Sequence, residues 1–317
     1  MSVNSVFCWL TNQFENEDLT WTNNFIIDLE SMRQFRIFYN AVFPDIKLQN
    51  IEFLKKTNNY GKIKEENMEI FNFNVLQPNK SVKLQFRLNQ DLTRTLRKSR
   101  TDMGIPKISE KNDEIVLNWF SEMLVFIDYQ GITYKQGYCD LLIPIFHIFF
   151  SGLLAYYSFS ELSDIGYILE VAKAISSYGF MGLMKSSLNH IDMFPERMGV
   201  TKYIRSLTYQ LNTLKEFKSI SEKDVQLFAS TWILLIFTQS LTFRDTISLW
   251  SELFKKPETL HEDLMKWCYC AAVLISQKAG DSLGKNFIQT MQKSQLLSFK
   301  EMLDLQPTLT VAFPKVY

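Results

Sequence analysis

Leu88-Asn-Gln-Asp-Leu-Thr-Arg94 and Tyr134-Lys-Gln-Gly137 are the two stretches of this chain on which the prediction of its fold depends. In the first, Asp91 precedes Arg94 by three residues, so both side chains would lie on one face of a helix. In the second, an amide side chain stands next to a glycine. A permanent cation and a water-positioning amide are the two groups that phosphoryl transfer to water needs from a helper protein.

Each stretch also has an ordinary interpretation. Asp91 with Arg94 is what a surface ion pair on a helix looks like, and such pairs contribute little to stability. The second stretch could be a polar loop before an apolar helix, with its glycine serving a turn. The chain has no Gly-x-x-x-x-Gly-Lys-Ser/Thr phosphate loop, so a nucleotide hydrolysed with its help would belong to another protein.

A third stretch lies further along the chain, and it reads Trp232-Ile-Leu-Leu-Ile-Phe-Thr-Gln-Ser-Leu241, followed by Leu249-Trp250-Ser-Glu-Leu-Phe254. The three stretches, in this order, resemble the motifs of the TBC domain, a family of helical domains that stimulate GTP hydrolysis by small Rab-type GTPases. The likeness extends from about Leu84 to Ala279. It implies an all-α, multi-helix fold and a GTPase-activating function, in which the protein activates another enzyme and turns over no substrate of its own.

The resemblance also implies roles for individual residues. By position in the motifs, Arg94 is the arginine finger and Gln136 the glutamine finger, and both act in trans on the partner. Asp91 would hold the guanidinium of Arg94, Tyr134 would pack beneath the glutamine loop, and Gly137 would let the backbone bend there. The partner would be a Rab-type GTPase in the GTP form, and it would bring the GTP and Mg²⁺, so we expect no cofactor of the chain's own.

We assign partner contacts to four further side chains, Arg97, Lys98, Tyr138 and Trp232. For the two basic residues, a solvated helix face is the alternative. Tyr138-Cys139 stands where the family usually has Met-Asn, and Thr231 stands where an arginine often precedes the tryptophan. These departures keep a second function open, that of a catalytically inactive TBC-fold binding module for a GTPase or a membrane-traffic adaptor. A third possibility is an unrelated helical scaffold whose matches to the motifs arose by chance, and such a protein would bind no GTPase.

Composition restricts the remaining classes of function. Among 317 residues, 34 are basic and 34 acidic, so no net charge attracts nucleic acid or an anionic membrane. The four cysteines lack the Cys-x-x-Cys spacing of a zinc site, which predicts reduced, mostly buried thiols. The three histidines are isolated from one another, which predicts no metal site. The chain shows no secretory signal at its start, and the resemblance implies a cytoplasmic protein, peripheral on endomembranes, that acts in vesicle trafficking and intracellular protein transport.

The pattern of apolar residues divides the chain into three parts. We expect residues 1–80 to be an accessory region, with helical spacing at 26–43 and strand-like alternation at 71–75. Residues 81–300 would form the TBC domain, and 301–317 a C-terminal tail. Within the domain, helices are predicted around 115–127, 161–177, 201–217, 221–241, 246–254 and 261–279. The apolar stretch 141–159 approaches the length of a membrane span, but its position after the Tyr-x-Gln-Gly motif favours a buried core helix.

Overall fold

The computed structural model describes residues 37–38, 88, 90–95, 110–156, 165–185, 198–280, 287–292 and 297–306. Within these residues the regular structure is helical and there is no strand, which confirms the predicted all-α class. The chain divides into two compact units, Met1–Leu183 and Met184–Tyr317. The strand-like alternation at 71–75 lies outside the described residues, and residues 37–38, from the predicted helix at 26–43, are helical.

Three long helices lie in the first unit: α1 (Glu110–Tyr129), α2 (Tyr138–Tyr156) and α3 (Ile165–Lys185), whose last two residues fall beyond the division between the units. Residues 90–95 form a further helical turn. The predicted apolar face of α1 is buried from Trp119 to Ile127. It packs on α2, where the rings of Phe120 and Phe146 meet edge to face with centroids 5.2 Å apart.

Helix α2 is buried on every side over its first 13 residues, Tyr138 to Phe150. From Tyr138 to Phe150 each side chain has at most a small exposed fraction, including His147 at 8%. This confirms the prediction of a core helix. In the part of the chain that the structure describes, none of the helices combines the length and apolar character needed to cross a membrane.

A buried lysine links α1 to α3. Lys173 is 4% exposed, and its Nζ lies 2.5 Å from Oε2 of Glu122, whose side chain is 45% exposed. A charge that leaves water needs a partner, because an unpaired buried charge is strongly destabilising. The half-exposed carboxylate therefore satisfies the buried ammonium group at the edge of the core.

The second unit contains α4 (Met198–Leu211), α5 (Glu222–Leu234), α6 (Phe243–Leu253), α7 (Leu260–Ala279), α8 (Phe287–Met291) and α9 (Phe299–Leu305). Two of these helices begin at side-chain caps. Ser221 forms a capping box with Asp224, and the hydroxyl of Thr242 accepts from the backbone N–H of Asp245. Such caps satisfy backbone donors that have no partner inside the helix.

Helix α5 ends at Leu234, seven positions before the predicted end, because the backbone turns sharply there. Ile236 and Phe237 have φ values of 45° and 64°, in the left-handed region that side chains other than glycine seldom adopt. Nε1 of Trp250 donates a 2.8 Å hydrogen bond to the carbonyl oxygen of Ile236 and holds the turn in place. The continuous apolar sequence concealed this turn from periodicity analysis.

Two other expectations concern domain limits and thiols. Helix α9, Phe299–Leu305, extends across residue 300, the predicted boundary between the TBC domain and the C-terminal tail. Met302, beyond that boundary, is buried. Cys139, Cys268 and Cys270 are free and buried, as predicted, whereas Cys8 lies outside the described residues.

Candidate functional site

Arg94 lies on the exposed side of the helical turn 90–95. Leu88, Leu92 and Thr95 are buried at helical spacing, which turns Asp91 and Arg94 away from the core. Nη2 of Arg94 is 3.3 Å from Oδ1 of Asp91, and the arginine side chain is 54% exposed whereas the aspartate is 19% exposed. The carboxylate thus restrains the guanidinium, which remains accessible from solvent.

Tyr134 connects this turn to the glutamine motif. Its hydroxyl donates a 2.7 Å hydrogen bond to Oδ2 of Asp91, so the two carboxylate oxygens have different partners. Burial, the largest cause, together with the neighbouring Cys139 and Asp91, raises the pKa of Tyr134 far above its usual value of 10.0. The phenol therefore keeps its proton at neutral pH and acts as the donor to Asp91.

The thiol of Cys139 lies on the other side of the same hydroxyl, with Sγ 3.4 Å from Oη of Tyr134. Burial raises the pKa of Cys139 to about 12, so the thiol is protonated at neutral pH. The phenol proton points to Asp91, and the phenol oxygen can accept the S–H proton. Two hydrogen bonds and one ion pair therefore connect the first turn of α2 to the guanidinium of Arg94.

Gln136 stands at the tip of a four-residue turn. The carbonyl oxygen of Lys135 accepts from the backbone N–H of Tyr138 at 3.1 Å, and Gly137, the third residue of the turn, has φ of 101°. A positive φ at this position is the mark of a type II turn and explains the need for glycine. Gln136 occupies the second position and is exposed, and within the described residues its side chain has no hydrogen bond.

The arginine and the glutamine turn are connected through Tyr134. Gln136 follows Tyr134 by two residues, which span at most about 7 Å of extended chain, and the Tyr134 side chain reaches Asp91 directly. Arg94 thus belongs to one cluster of polar contacts, Asp91, Arg94, Tyr134 and Cys139, which we call the tyrosine cluster, and the exposed Gln136 follows its tyrosine by two residues.

Tyr138 and Trp232 lie in the protein core. Tyr138 is 3% exposed and meets the rings of Tyr134 and Phe180 edge to face, at 5.9 and 5.1 Å. Trp232, in the second unit, is 2% exposed and stacks on Phe237 at 5.6 Å. Both side chains, from which we expected partner contacts, pack against neighbouring rings in the core. Arg97 and Lys98 lie outside the described residues.

Asp128 is a residue of this site that sequence reasoning missed. Its Oδ1 accepts a 2.9 Å hydrogen bond from the backbone N–H of Tyr134. The sequence offered only a faint signal, a carboxylate directly after the predicted helix 115–127, at an end where the helix dipole favours cations.

The histidines and cysteines that the structure describes do not build a metal site. No three His, Cys, Asp or Glu side chains of the described ranges converge in a way that could hold an ion. Burial lowers the pKa of His147 from 6.5 to about 3, so this imidazole is neutral at physiological pH. Its environment is that of a core side chain.

Comparison with known proteins identifies the fold. No protein-family model matches the chain, and no curated protein matches it by sequence. Among solved structures, the chain resembles the crystal structure of the Ypt/Rab-GAP domain of Gyp1p, with a TM-score of 0.57 and 14% sequence identity. The likeness covers 95% of this chain and 99% of that domain. The chain therefore has a TBC-like fold, as the sequence motifs predicted.

Proposed function

We propose that this chain is a GTPase-activating protein for a Rab-type small GTPase in its GTP form. The observation that carries the proposal is the tyrosine cluster, which joins the two sequence motifs, while Arg94 and Gln136 are both exposed. A surface ion pair without function would not need a half-buried phenol and a buried thiol behind it. The TBC-like fold adds support, because the domain of Gyp1p with this fold is a Ypt/Rab-GAP domain.

The proposed mechanism assigns one task to each finger. The guanidinium of Arg94 offers planar, permanently charged donors to the phosphate oxygens on which negative charge develops. The amide of Gln136 accepts a hydrogen bond from the attacking water and holds it in line with the leaving group. No side chain of this protein transfers a proton, and GTP and Mg²⁺ are bound by the GTPase. In Ras-type systems an arginine supplied in trans contributes about 10³- to 10⁵-fold in rate.

The remaining contacts with the GTPase would come from the surface around Arg94. We retain Arg97 and Lys98 as partner contacts that follow the arginine in sequence and suit an acidic or phosphate-bearing surface. A Rab-type partner would place the protein at the cytoplasmic face of endomembranes, in vesicle trafficking.

The decisive test is single-turnover phosphate release from a panel of GTP-loaded Rab proteins, with wild-type protein, Arg94→Ala and Gln136→Ala. Arg205→Ala is the matched control for the arginine, because Arg205 is also exposed and paired with a carboxylate, Glu222, in the second unit. Gln289→Ala is the control for the glutamine, since Gln289 is exposed on α8. We expect stimulation of at least one Rab protein, a loss of about 10³-fold in Arg94→Ala, and little change in either control.

A binding module would give a different pattern. It would bind a GTP-loaded Rab protein with equal affinity as wild type, Arg94→Ala and Gln136→Ala, and none of the three would accelerate hydrolysis. That result would replace the proposed activity, and full activity in both alanine variants would disprove the assigned roles.

A further inference from the structure

Asp128 occupies a position that is unfavourable for the helix in which it lies. It is the penultimate residue of α1, Glu110–Tyr129, whose last turn contains no basic residue. The C-terminus of a helix carries partial negative charge, so a carboxylate there is repelled. Some other interaction has to offset this repulsion.

That interaction is with the loop that leads to Gln136. The backbone carbonyl of Asp128 accepts from the N–H of Gly131 at 3.1 Å, and its side-chain Oδ1 accepts from the N–H of Tyr134 at 2.9 Å. Asp128 therefore fixes the loop at two points. Its carboxylate oxygen replaces the backbone carbonyl that would accept from the N–H of Tyr134 if the helix continued.

Tyr134 is consequently held at both ends. Asp128 binds its backbone N–H, and Asp91 accepts from its hydroxyl. The turn with Gln136 begins at the next residue, Lys135, so its position depends on where the Tyr134 backbone lies. A shift of that backbone would move Gln136 relative to Arg94, which is attached to Asp91 through a separate contact.

We propose that Asp128 is a positioning residue for Gln136, which sets the glutamine turn at its working distance from Arg94 before a GTPase binds. The inference rests on the proposed function, since it assumes that Gln136 orients the attacking water. Because this loop is already ordered before the GTPase binds, no interaction free energy is used to order it. That free energy can then stabilise the transition state. The contribution of Asp128 should therefore appear in kcat rather than in KM.

Three variants test this inference. Asp128→Ala removes the acceptor, Asp128→Asn removes the charge and retains a side-chain oxygen that can accept from Tyr134, and Asp304→Ala, at an exposed aspartate of α9, is the control. We expect kcat of the stimulated reaction to fall about tenfold in Asp128→Ala with KM within about twofold, and to stay within about threefold of wild type in Asp128→Asn. Asp304→Ala should match wild type.

Hydrogen–deuterium exchange provides a second measurement that needs no GTPase. The amide of Tyr134 should exchange about tenfold faster in Asp128→Ala than in wild type, and near the wild-type rate in Asp128→Asn. Unchanged exchange or unchanged kcat in Asp128→Ala would overturn the inference, as would an equal loss of kcat in Asp128→Ala and Asp128→Asn. If wild-type protein stimulated no Rab protein, the proposed function would fail, and exchange would still decide whether Asp128 holds the loop.

Discussion

At the scale of single residues, Asp91 is the centre of the candidate site because its two oxygens serve different neighbours. Oδ1 faces Arg94, and Oδ2 accepts from Tyr134. The spacing of Asp91 and Arg94 predicted their shared helix face from sequence alone. The contact with Asp128 could not be predicted in this way, since a hydrogen bond to a backbone N–H six residues later depends on the loop's conformation.

The tyrosine hydroxyl provides the first prediction. Tyr134→Phe removes the donor to Oδ2 of Asp91 and leaves the ring packing in place, so the carboxylate that restrains Arg94 loses one of its two partners. We expect the free energy of unfolding to fall by about 1–2 kcal/mol and the stimulated hydrolysis rate to fall about tenfold. Urea denaturation and single-turnover phosphate release measure the two effects.

Tyr209→Phe is the control for this substitution, because Tyr209 is 71% exposed on α4. It should change neither quantity by more than experimental error. Wild-type rates in Tyr134→Phe would show that Asp91 needs no second partner to orient Arg94.

Gly137 provides the second prediction. Its φ of 101° strains any residue with a Cβ, so Gly137→Ala should lower the free energy of unfolding by about 1–2 kcal/mol and displace Gln136. Binding of a GTP-loaded Rab protein should be retained while stimulated hydrolysis falls at least about tenfold. The control is Gly280→Ala, at φ of 51° with open space around an added Cβ, and it should leave hydrolysis unchanged.

At the scale of helices and turns, the sequence predicted the existence of elements better than their ends. The buried face of α1 and the core helix α2 followed from apolar spacing. The early end of α5 did not, because Leu234, Leu235, Ile236 and Phe237 continue the apolar pattern past the point where the backbone turns. The burial of Tyr138 and Trp232 also did not follow from the sequence, because a motif position carries no information about burial.

The turn after α5 leads to the third prediction. Trp250→Phe removes the hydrogen bond to the buried carbonyl of Ile236 and leaves that oxygen without its donor. We expect the free energy of unfolding to fall by about 2–4 kcal/mol, from the lost ring volume and the lost bond together. Chemical denaturation followed by circular dichroism measures this loss.

The matched control is Trp267→Phe on α7. Trp267 is 2% exposed and packs on Phe299, and no hydrogen bond of its indole is found within the described residues. Its loss should be smaller by about 1–3 kcal/mol, which is the contribution of the hydrogen bond. Equal losses would mean that ring volume alone explains the role of Trp250.

At the scale of the whole molecule, burial of titratable groups sets how stability depends on pH. Burial lowers the pKa of His147 to about 3 in the folded protein, from 6.5 for a solvent-exposed histidine. Below pH 6.5 the unfolded chain therefore binds a proton at this side chain, whereas the folded chain does not. The contribution of the neutral His147 to the free energy of unfolding is therefore fully present above pH 6.5 and is lost as the pH falls towards 3. Between pH 7 and pH 5 this single group should remove about 2 kcal/mol from the free energy of unfolding.

His147→Leu tests this fourth prediction, because it keeps an apolar side chain in the core and removes the titrating group. The difference in the free energy of unfolding between pH 7 and pH 5 should be about 2 kcal/mol smaller in the variant than in wild type, as measured by urea denaturation at both pH values. Parallel pH profiles would show that His147 is protonated equally in the folded and unfolded chains.

The turn at Lys135–Tyr138 has a consequence for how such a protein could evolve. Its geometry demands glycine at position 137 and makes no demand on the side chain at position 136, which points away from the core and supports no neighbour within the described residues. A single codon change that replaces Gln136 would therefore leave the stability of the fold unchanged. A duplicated gene could lose hydrolytic activity in one step, keep its backbone and its partner, and become an adaptor under selection for binding alone.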